Sequence, residues 1–478
     1  MNNKSNKNAI KDNKNRKTHI SSTKNDFDKK LFSNKIFIGK CIDLSHEGLG
    51  VVKDDKSYFI NDLLIGEEAK IEITNENKNF GFGKVINRFS TSPNRVLPKC
   101  KFFGICGGCD LMHMTYEEEL NFKLKMVNET FKRIGHLNFT INEIVKADDD
   151  EIERYRNKVQ IPFKMLKNKA ICGFYKKKTH EIVEVRDCLL QTIETSEISL
   201  FIKNVVNELK ISAYDEINKK GVLRHILIRK TYNNDYMVCL IVNEFDNKVE
   251  ESIKLLTDKL VMKFPYVKSV IVNINTNKNN IILGDESKKI YGDDCLIDNL
   301  LGLNFKLSHK AFFQINHVQT EKLYSKAIEF ANISKDDVIL DSYCGVGTIC
   351  LIASKYAKKA YGIEIIPEAI EDAKENAKLN NIKNVEFLVG ATEELIQEIK
   401  ENIDVLFVDP PRKGLDIKVV DFLNKSKIDK VVYVSCDVST MARDLMLLSD
   451  EYEPIKGCCF DLFPRTANVE TVVLLKRK

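Results

Sequence analysis

No stretch of this 478-residue chain approaches the ~18 consecutive apolar residues of a membrane-spanning helix, which excludes a helical channel and predicts no membrane partner. The N-terminus carries no apolar segment of the secretory kind, so the expectation is a cytoplasmic protein. No internal repeat is visible. With 43% hydrophobic and 30% charged residues, neither a peptide hormone nor a fibre fits; a soluble, enzyme-sized protein does. At ~150 residues per domain the length predicts about three domains. The folded body also lacks a charge excess. Residues 1–32 hold nine Lys/Arg and three Asp/Glu, a net +6, and the whole chain is +5, so the rest is close to neutral. A disulfide framework is not expected in a reducing compartment. Three of the 13 cysteines fall within ten residues, which points instead to metal, cluster or catalytic chemistry.

Residues 1–32 are rich in Asn and Lys and almost free of large apolar side chains. Such a segment cannot bury enough surface to offset its ordering entropy, and it reads as a disordered basic tail. It fits an arm on RNA as well as a plain solubilising tail. Residues 33–95 carry short, partly alternating segments separated by Gly, Asn and Asp. About five strands in ~60 residues predict a small β-barrel. Residues 96–304 are mixed. They open on the Cys-rich loop, continue with an amphipathic helix from Tyr116 to about Gly135, and include strand-like stretches at 158–163 and 222–231; an α+β domain is expected. From 305 to 478 near-continuous apolar strands alternate with helices, as in a parallel sheet covered on both faces. The strands fall at 338–341, 359–364, 385–389, 404–408 and 430–435. Two last strands, 456–463 and 469–475, are expected as an antiparallel pair at the sheet edge.

Several motifs sit where such a sheet opens. Asp341-Ser342-Tyr343-Cys344-Gly345-Val346-Gly347-Thr348 is a strand, a glycine turn and a helix start, the pattern that lets backbone approach an anionic or adenosine-type ligand. Glu364 follows Gly345 by 19 residues, the spacing of a ribose-binding acid. The full G-x-G-x-x-G is missing, which disfavours dinucleotides. Asp409-Pro410-Pro411-Arg412 and Ser435-Cys436 each end an apolar strand at the same edge. A thiolate there can add to an electron-poor carbon, and Cys344 is a second candidate. Cys458 and Cys459 read as core. From spacing alone Glu470 reads as an exposed carboxylate. Cys100, Cys106 and Cys109 give C-x5-C-x2-C, with Cys188 as fourth thiolate. That set suits zinc or an iron–sulfur cluster, though not two C-x-x-C pairs.

In order along the chain, these pieces resemble the RNA uracil-5-methyltransferase family. They include Phe312-Phe313-Gln314-Ile315-Asn316 and Val469-Glu470-Thr471-Val472. The resemblance implies a multidomain chain: a TRAM-like barrel, a central α+β domain and a C-terminal α/β Rossmann-like class I methyltransferase domain. It implies S-adenosylmethionine as cofactor, lined by Gln314, Tyr343, Glu364 and Asp409, with Cys436 as nucleophile and Glu470 as general base. It implies a four-iron–four-sulfur (4Fe-4S) cluster on Cys100, Cys106, Cys109 and Cys188. The barrel and cluster together resemble the branch acting on 23S rRNA; tRNA is the alternative RNA partner. A monomer is expected. The sequence departs from the family's pattern at Arg465 and Asn468, where His often precedes the terminal Glu, and at Ala391, where a polar residue often faces the adenine.

Overall fold

The computed structural model describes residues 35–478, so the basic tail expected at 1–32 lies outside the described residues. Among the described residues no helix is long and apolar enough to cross a membrane. The N-terminal segment forms six strands rather than five: β1 (Ile36–Lys40), β2 (Asp43–Leu44), β3 (Gly50–Lys53), β4 (Ser57–Asn61), β5 (Glu68–Glu76) and β6 (Phe80–Arg88). The extra strand, β2, is two residues long, too short to show a period. The sheet order is β1-β5-β6-β4-β3-β2. Inward side chains such as Val52, Tyr58, Ile60, Ile71 and Ile73 fill its core. Buried Glu67 ties the sheet to the following segment by accepting from Arg95 Nε at 2.6 Å and Arg88 Nε at 3.1 Å.

The cysteine loop comes next, then α1 (Tyr116–Arg133) and β7 (Ile144–Val145). Thr115 caps α1 by accepting from Glu118 N–H. A second sheet follows, built from β8 (Lys158–Leu166) and β9 (Lys169–Cys172), with the small hairpin β10 (Phe174–Tyr175) and β11 (Ile182–Val183) beside it. Helix α2 (Ile193–Glu208), β12 (Leu223–Lys230), β13 (Tyr236–Val242), α3 (Asn247–Lys263), β14 (Val267–Ile274) and β15 (Glu286–Gly292) complete it. Its order is β15-β14-β13-β12-β8-β9. Strands β13 and β14 are parallel, and α3 makes the crossover between them. The hairpin β16 (Leu296–Leu300) and β17 (Leu303–Leu307) leads onward.

The C-terminal sheet is the scaffold of the site. In chain order come α4 (His317–Ala331), β18 (Val338–Ser342), α5 (Thr348–Ser354), β19 (Lys359–Glu364), α6 (Pro367–Leu379), β20 (Val385–Val389), α7 (Thr392–Leu395), β21 (Val405–Val408), α8 (Ile417–Lys425), β22 (Lys430–Ser435), α9 (Val438–Leu448), β23 (Tyr452–Phe460) and β24 (Glu470–Arg477). The order is β20-β19-β18-β21-β22-β24-β23-β7, with β18 to β22 parallel and β24 antiparallel to β22. Period-2 alternation splits the strands between two cores. Val432 and Val434 face α4, α5 and α6, whereas Val431 and Tyr433 face α8 and α9. Cys458 and Cys459 are buried, one in each core, as expected.

Two features differ from the sequence reading. The β23–β24 pair is not the sheet edge, because β7 pairs in parallel with β23 through Cys459↔Ile144 and Phe460↔Val145. Helix α1, far ahead of residue 305, packs Val127 and Phe131 into the same core as Met441 and Leu445 of α9. A two-residue strand and one amphipathic face carry no signal of which sheet they will join.

A buried ion cluster locks this arrangement. Lys123 of α1 is fully enclosed, donating to Glu119 Oε1 at 2.8 Å and to Asp461 Oδ1 at 2.6 Å. Tyr116 Oη donates to Asp461 Oδ2 at 2.7 Å and accepts from Ala147 N–H at 2.8 Å. Removing one member of a buried pair strands the other, at about 3–5 kcal/mol. Lys123→Met should therefore lower stability by about that amount in a denaturant titration. A loss below about 1 kcal/mol, the range of exposed pairs, would contradict the locking role.

Candidate active site

Strand register decides which side chains meet. Ser342 of β18 pairs with Ile363 of β19 and Val408 of β21, and Val408 pairs with Tyr433 of β22. Tyr343, Glu364 and Asp409 therefore reach one carboxyl edge together, where open parallel sheets bind ligands. Strand β24 runs the other way and begins at that edge. Ser435 pairs with Thr471, so Glu470 starts at the edge where Cys436 leaves β22. The register thus brings the two halves of the expected catalytic pair together.

The electrostatics of the pair are set by burial. Cys436 is half-buried. Burial pushes its thiol up to about 11; Glu470 and Asp409 add to the rise, and the positive charge of nearby Arg412 opposes it. Glu470 is only 2% exposed, so the exposed carboxylate suggested by spacing is not what the fold makes. Its carboxyl is held well above the usual range by burial and by Asp409, against Arg412. Burial alone pushes Asp409 up to about 7. A carboxyl that resists ionisation is a strong proton acceptor once ionised.

Around the glycine turn the donors of a cofactor site are in place. Asp341 Oδ2 accepts from Cys350 N–H at 2.8 Å, and its Oδ1 is buried without a partner. Glu364 accepts from Gly345 N–H at 3.2 Å and Ile366 N–H at 3.1 Å. Gly347 has φ 82, and a side chain there would meet Phe387 and Ala373 at 3.0 and 3.1 Å. Gln314 and Tyr324 are both buried, and the charges of Asp409, Asp341 and Glu470 add to the burial that raises the Tyr324 hydroxyl. Tyr343 is different. Its ring packs beside the α8–α9 core, away from the edge, so main chain is what it presents there. Ala391 precedes α7 and offers no side-chain cap. Cys344 is buried under the turn with its thiol pushed far up, chiefly by burial, which removes it as second nucleophile. Tyr324 and Arg412 were not singled out by sequence reasoning. Arg412 lay inside a quoted motif, whereas Tyr324 shows only helical core spacing.

The four expected cluster cysteines lie near enough to one another to interact electrostatically. All are free, half-buried thiols. Burial first, then mutual repulsion, raises Cys106 and Cys109, each of which feels Cys100 and Cys188. Among the described residues no three His, Cys, Asp or Glu side chains close around a single metal ion.

The thiol environment generates a measurable expectation. Alkylation of Cys436 by iodoacetamide, followed by peptide mass spectrometry, should accelerate with pH up to about 11, and Arg412→Ala should shift that midpoint higher. An unchanged midpoint in the variant would show that Arg412 does not act on the sulfur.

Residues 115–478 match the family described as tRNA (Uracil-5-)-methyltransferase. Over 454 residues the chain is 41% identical to an uncharacterized RNA methyltransferase of Staphylococcus aureus (strain MRSA252), covering 94% of this chain and 99% of that one. It is 42% identical over 455 residues to another from Oceanobacillus iheyensis, covering 93% and 97%. The crystal structure of Pyrococcus abyssi tRNA (uracil-54, C5)-methyltransferase in complex with S-adenosyl-L-homocysteine is similar with a TM-score of 0.73 at 26% identity, covering 92% of this chain and all of that one. With the family match running from the cap of α1 through the strand that carries Glu470, the chain belongs to the tRNA (uracil-5-)-methyltransferase family.

Proposed function

We propose that this chain is a cytoplasmic, monomeric enzyme that forms 5-methyluridine in RNA, and that its RNA is 23S rRNA. The observation that carries the reaction is the Ser435–Thr471 pairing, which starts buried Glu470 at the edge where Cys436 leaves β22, with the charge of Arg412 near the thiol. Uracil C5 is too weak a nucleophile to take a methyl group directly. The Cys436 sulfur adds to C6, and the C5–C6 π pair becomes available at C5. Bound S-adenosylmethionine supplies an electrophilic methyl group, and Gln314, Glu364, Asp409 and the main chain at Tyr343 would hold it. Glu470 then takes the proton from C5. The C–H pair restores the C5–C6 double bond, and the sulfur leaves C6 with its bonding pair. Arg412 favours the thiolate form at both ends of this cycle. The target base must leave its stack, at about a few kcal/mol.

The N-terminal sheet supports an RNA substrate. Phe59, Phe80 and Phe82 cluster on one surface, and Lys178 lies 4.9 Å over the Phe82 ring, the aromatic and basic pairing that suits single-stranded bases. The ribosomal assignment rests on the likeness of residues 33–95 and the four cysteines to the 23S branch. A tRNA substrate is the second reading. It is favoured by the Pyrococcus enzyme, whose tRNA-acting chain is matched in full across 92% of this one. Cys100, Cys106, Cys109 and Cys188 would hold a four-iron–four-sulfur cluster, which would tie the loop to the Cys188 segment.

Two measurements test this reading. Purified protein with labelled S-adenosylmethionine should place 5-methyluridine in unmodified 23S rRNA; product in tRNA alone keeps the reaction and discards the ribosomal substrate. RNA containing 5-fluorouridine should trap a covalent adduct, because fluorine cannot leave as a proton, and persistence of that adduct in Cys436→Ala would overturn the nucleophile. For the cluster, anaerobically purified wild type should be brown and Cys100→Ser colourless; a colourless wild type with tightly bound zinc would contradict it.

A further inference from the structure

Glu470 is the first residue of β24, paired with Phe460 of β23 on one side and joined on the other to the loop that delivers it, so strand register and loop together place its carboxyl. That loop, residues 461–468, is gripped from outside at successive carbonyls. Phe463 O accepts from Lys123 Nζ at 3.3 Å, and Pro464 O from Tyr155 Oη at 3.1 Å. Arg465 O accepts from the N–H groups of both Asp110 at 3.0 Å and Leu111 at 3.1 Å. Its donors are held as well. Arg465 N–H gives to Glu119 Oε1 at 2.7 Å, and Ala467 N–H to Asp110 Oδ2 at 3.4 Å. Arg465 has φ 70, a left-handed conformation that a side-chain-bearing residue holds only when its surroundings impose it. Its side chain joins the grip too: the guanidinium donates to buried Glu119 Oε2 at 3.3 Å and lies 5.5 Å over the Tyr116 ring.

Asp110 is the chain neighbour of Cys109. Its Oδ1 pairs with Lys177 Nζ at 2.8 Å, while its other oxygen and its N–H face the loop. None of the hydrogen bonds of this grip reaches Cys436 or Arg412, which are carried by the ends of β22 and β21. We propose that Asp110, with Tyr155, is a positioning residue for the proton-removal step: it holds loop 461–468 so that Glu470 meets the C5 proton, and so couples the shape of the cysteine loop to the end of the reaction. The inference rests on the Cys436–Glu470 reading above. Loosening the grip leaves sulfur addition and methyl transfer intact. It delays only passage of the C5 proton to Glu470, re-formation of the C5–C6 double bond and departure of the sulfur.

The test separates those steps. RNA tritiated at uridine C5 and methyl-labelled S-adenosylmethionine report proton release and methyl transfer in one reaction. Asp110→Ala should transfer methyl in the first turnover and form the 5-fluorouridine adduct as wild type does. It should release tritium about tenfold more slowly or worse, since small misplacements of a catalytic group have large effects. A methylated protein–RNA adduct stable in detergent should accumulate on ordinary uridine. Asp110→Asn keeps an oxygen for Ala467 N–H and should recover most of the rate. Tyr155→Phe removes one hydroxyl from the same grip with the packing retained, and should show the same partition more weakly even if the alanine variant fails to fold. Tritium release and methyl transfer changed in equal proportion, or unchanged in both the Asp110 and Tyr155 variants, would overturn the positioning role. A wild type that forms no 5-fluorouridine adduct would overturn the underlying mechanism instead, and the inference with it.

Discussion

The final strand enters the C-terminal sheet backwards, and the site depends on that. Five parallel strands all end at one edge, so they can only send outgoing residues there: Tyr343, Glu364, Asp409 and Cys436. An antiparallel neighbour starts where they end. Strand β24, hydrogen-bonded to β22 with Ser435 opposite Thr471, therefore contributes its first residue to the same edge. A slip of one residue would turn every side chain of β24 to the opposite face and exchange the two cores that Val472 and Val473 separate. Burial on both faces thus fixes a register that also fixes the distance between thiol and carboxyl.

The chemistry at that edge is a contest between burial and a single cation. Burial raises the Cys436 thiol and the Glu470 and Asp409 carboxyls alike. For the carboxyl this suits the proposed role, in which the ionised group would receive a proton from carbon. For the thiol it is a handicap in the proposed reaction, where only the thiolate would add to C6. Arg412 resolves part of the conflict by placing its positive charge near the sulfur from the exposed part of the Pro-Pro turn. Three parts of the chain are needed to hold this balance: the parallel strands, the gripped loop before Glu470, and the α1 lysine buried between two carboxylates.

Much of this was legible in the residues. The apolar runs at β18, β19, β21 and β22 marked a parallel sheet because a strand covered on both faces has no polar positions to show. The glycine turn, the Asp-Pro-Pro-Arg turn and the Ser-Cys pair were readable as edge motifs because each follows such a run. Glu470 was not. An acid before a hydrophobic strand looks the same whether it faces water or a catalytic cleft, and only likeness to a family suggested the second. Tyr343 was legible as a motif position but not in its orientation, since its positive φ and its packing beside the α8–α9 core arise from the folded turn. Tyr324 carried no signal beyond helix periodicity.

What the sequence by itself determined is local: which segments are strands or helices, and which polar residues stand at their ends. Period, turn chemistry and capping are properties of neighbours along the chain. Which of those ends meet was decided only by the tertiary structure. The meetings that matter join Asp110 to Ala467 and Lys123 to Asp461 by hydrogen bonds across hundreds of residues, and bring Cys436 and Glu470, 34 residues apart, to one sheet edge. No period links such positions. They meet because burying two cores at once leaves the last strand one register, and because buried charges at α1 leave the preceding loop one place to lie.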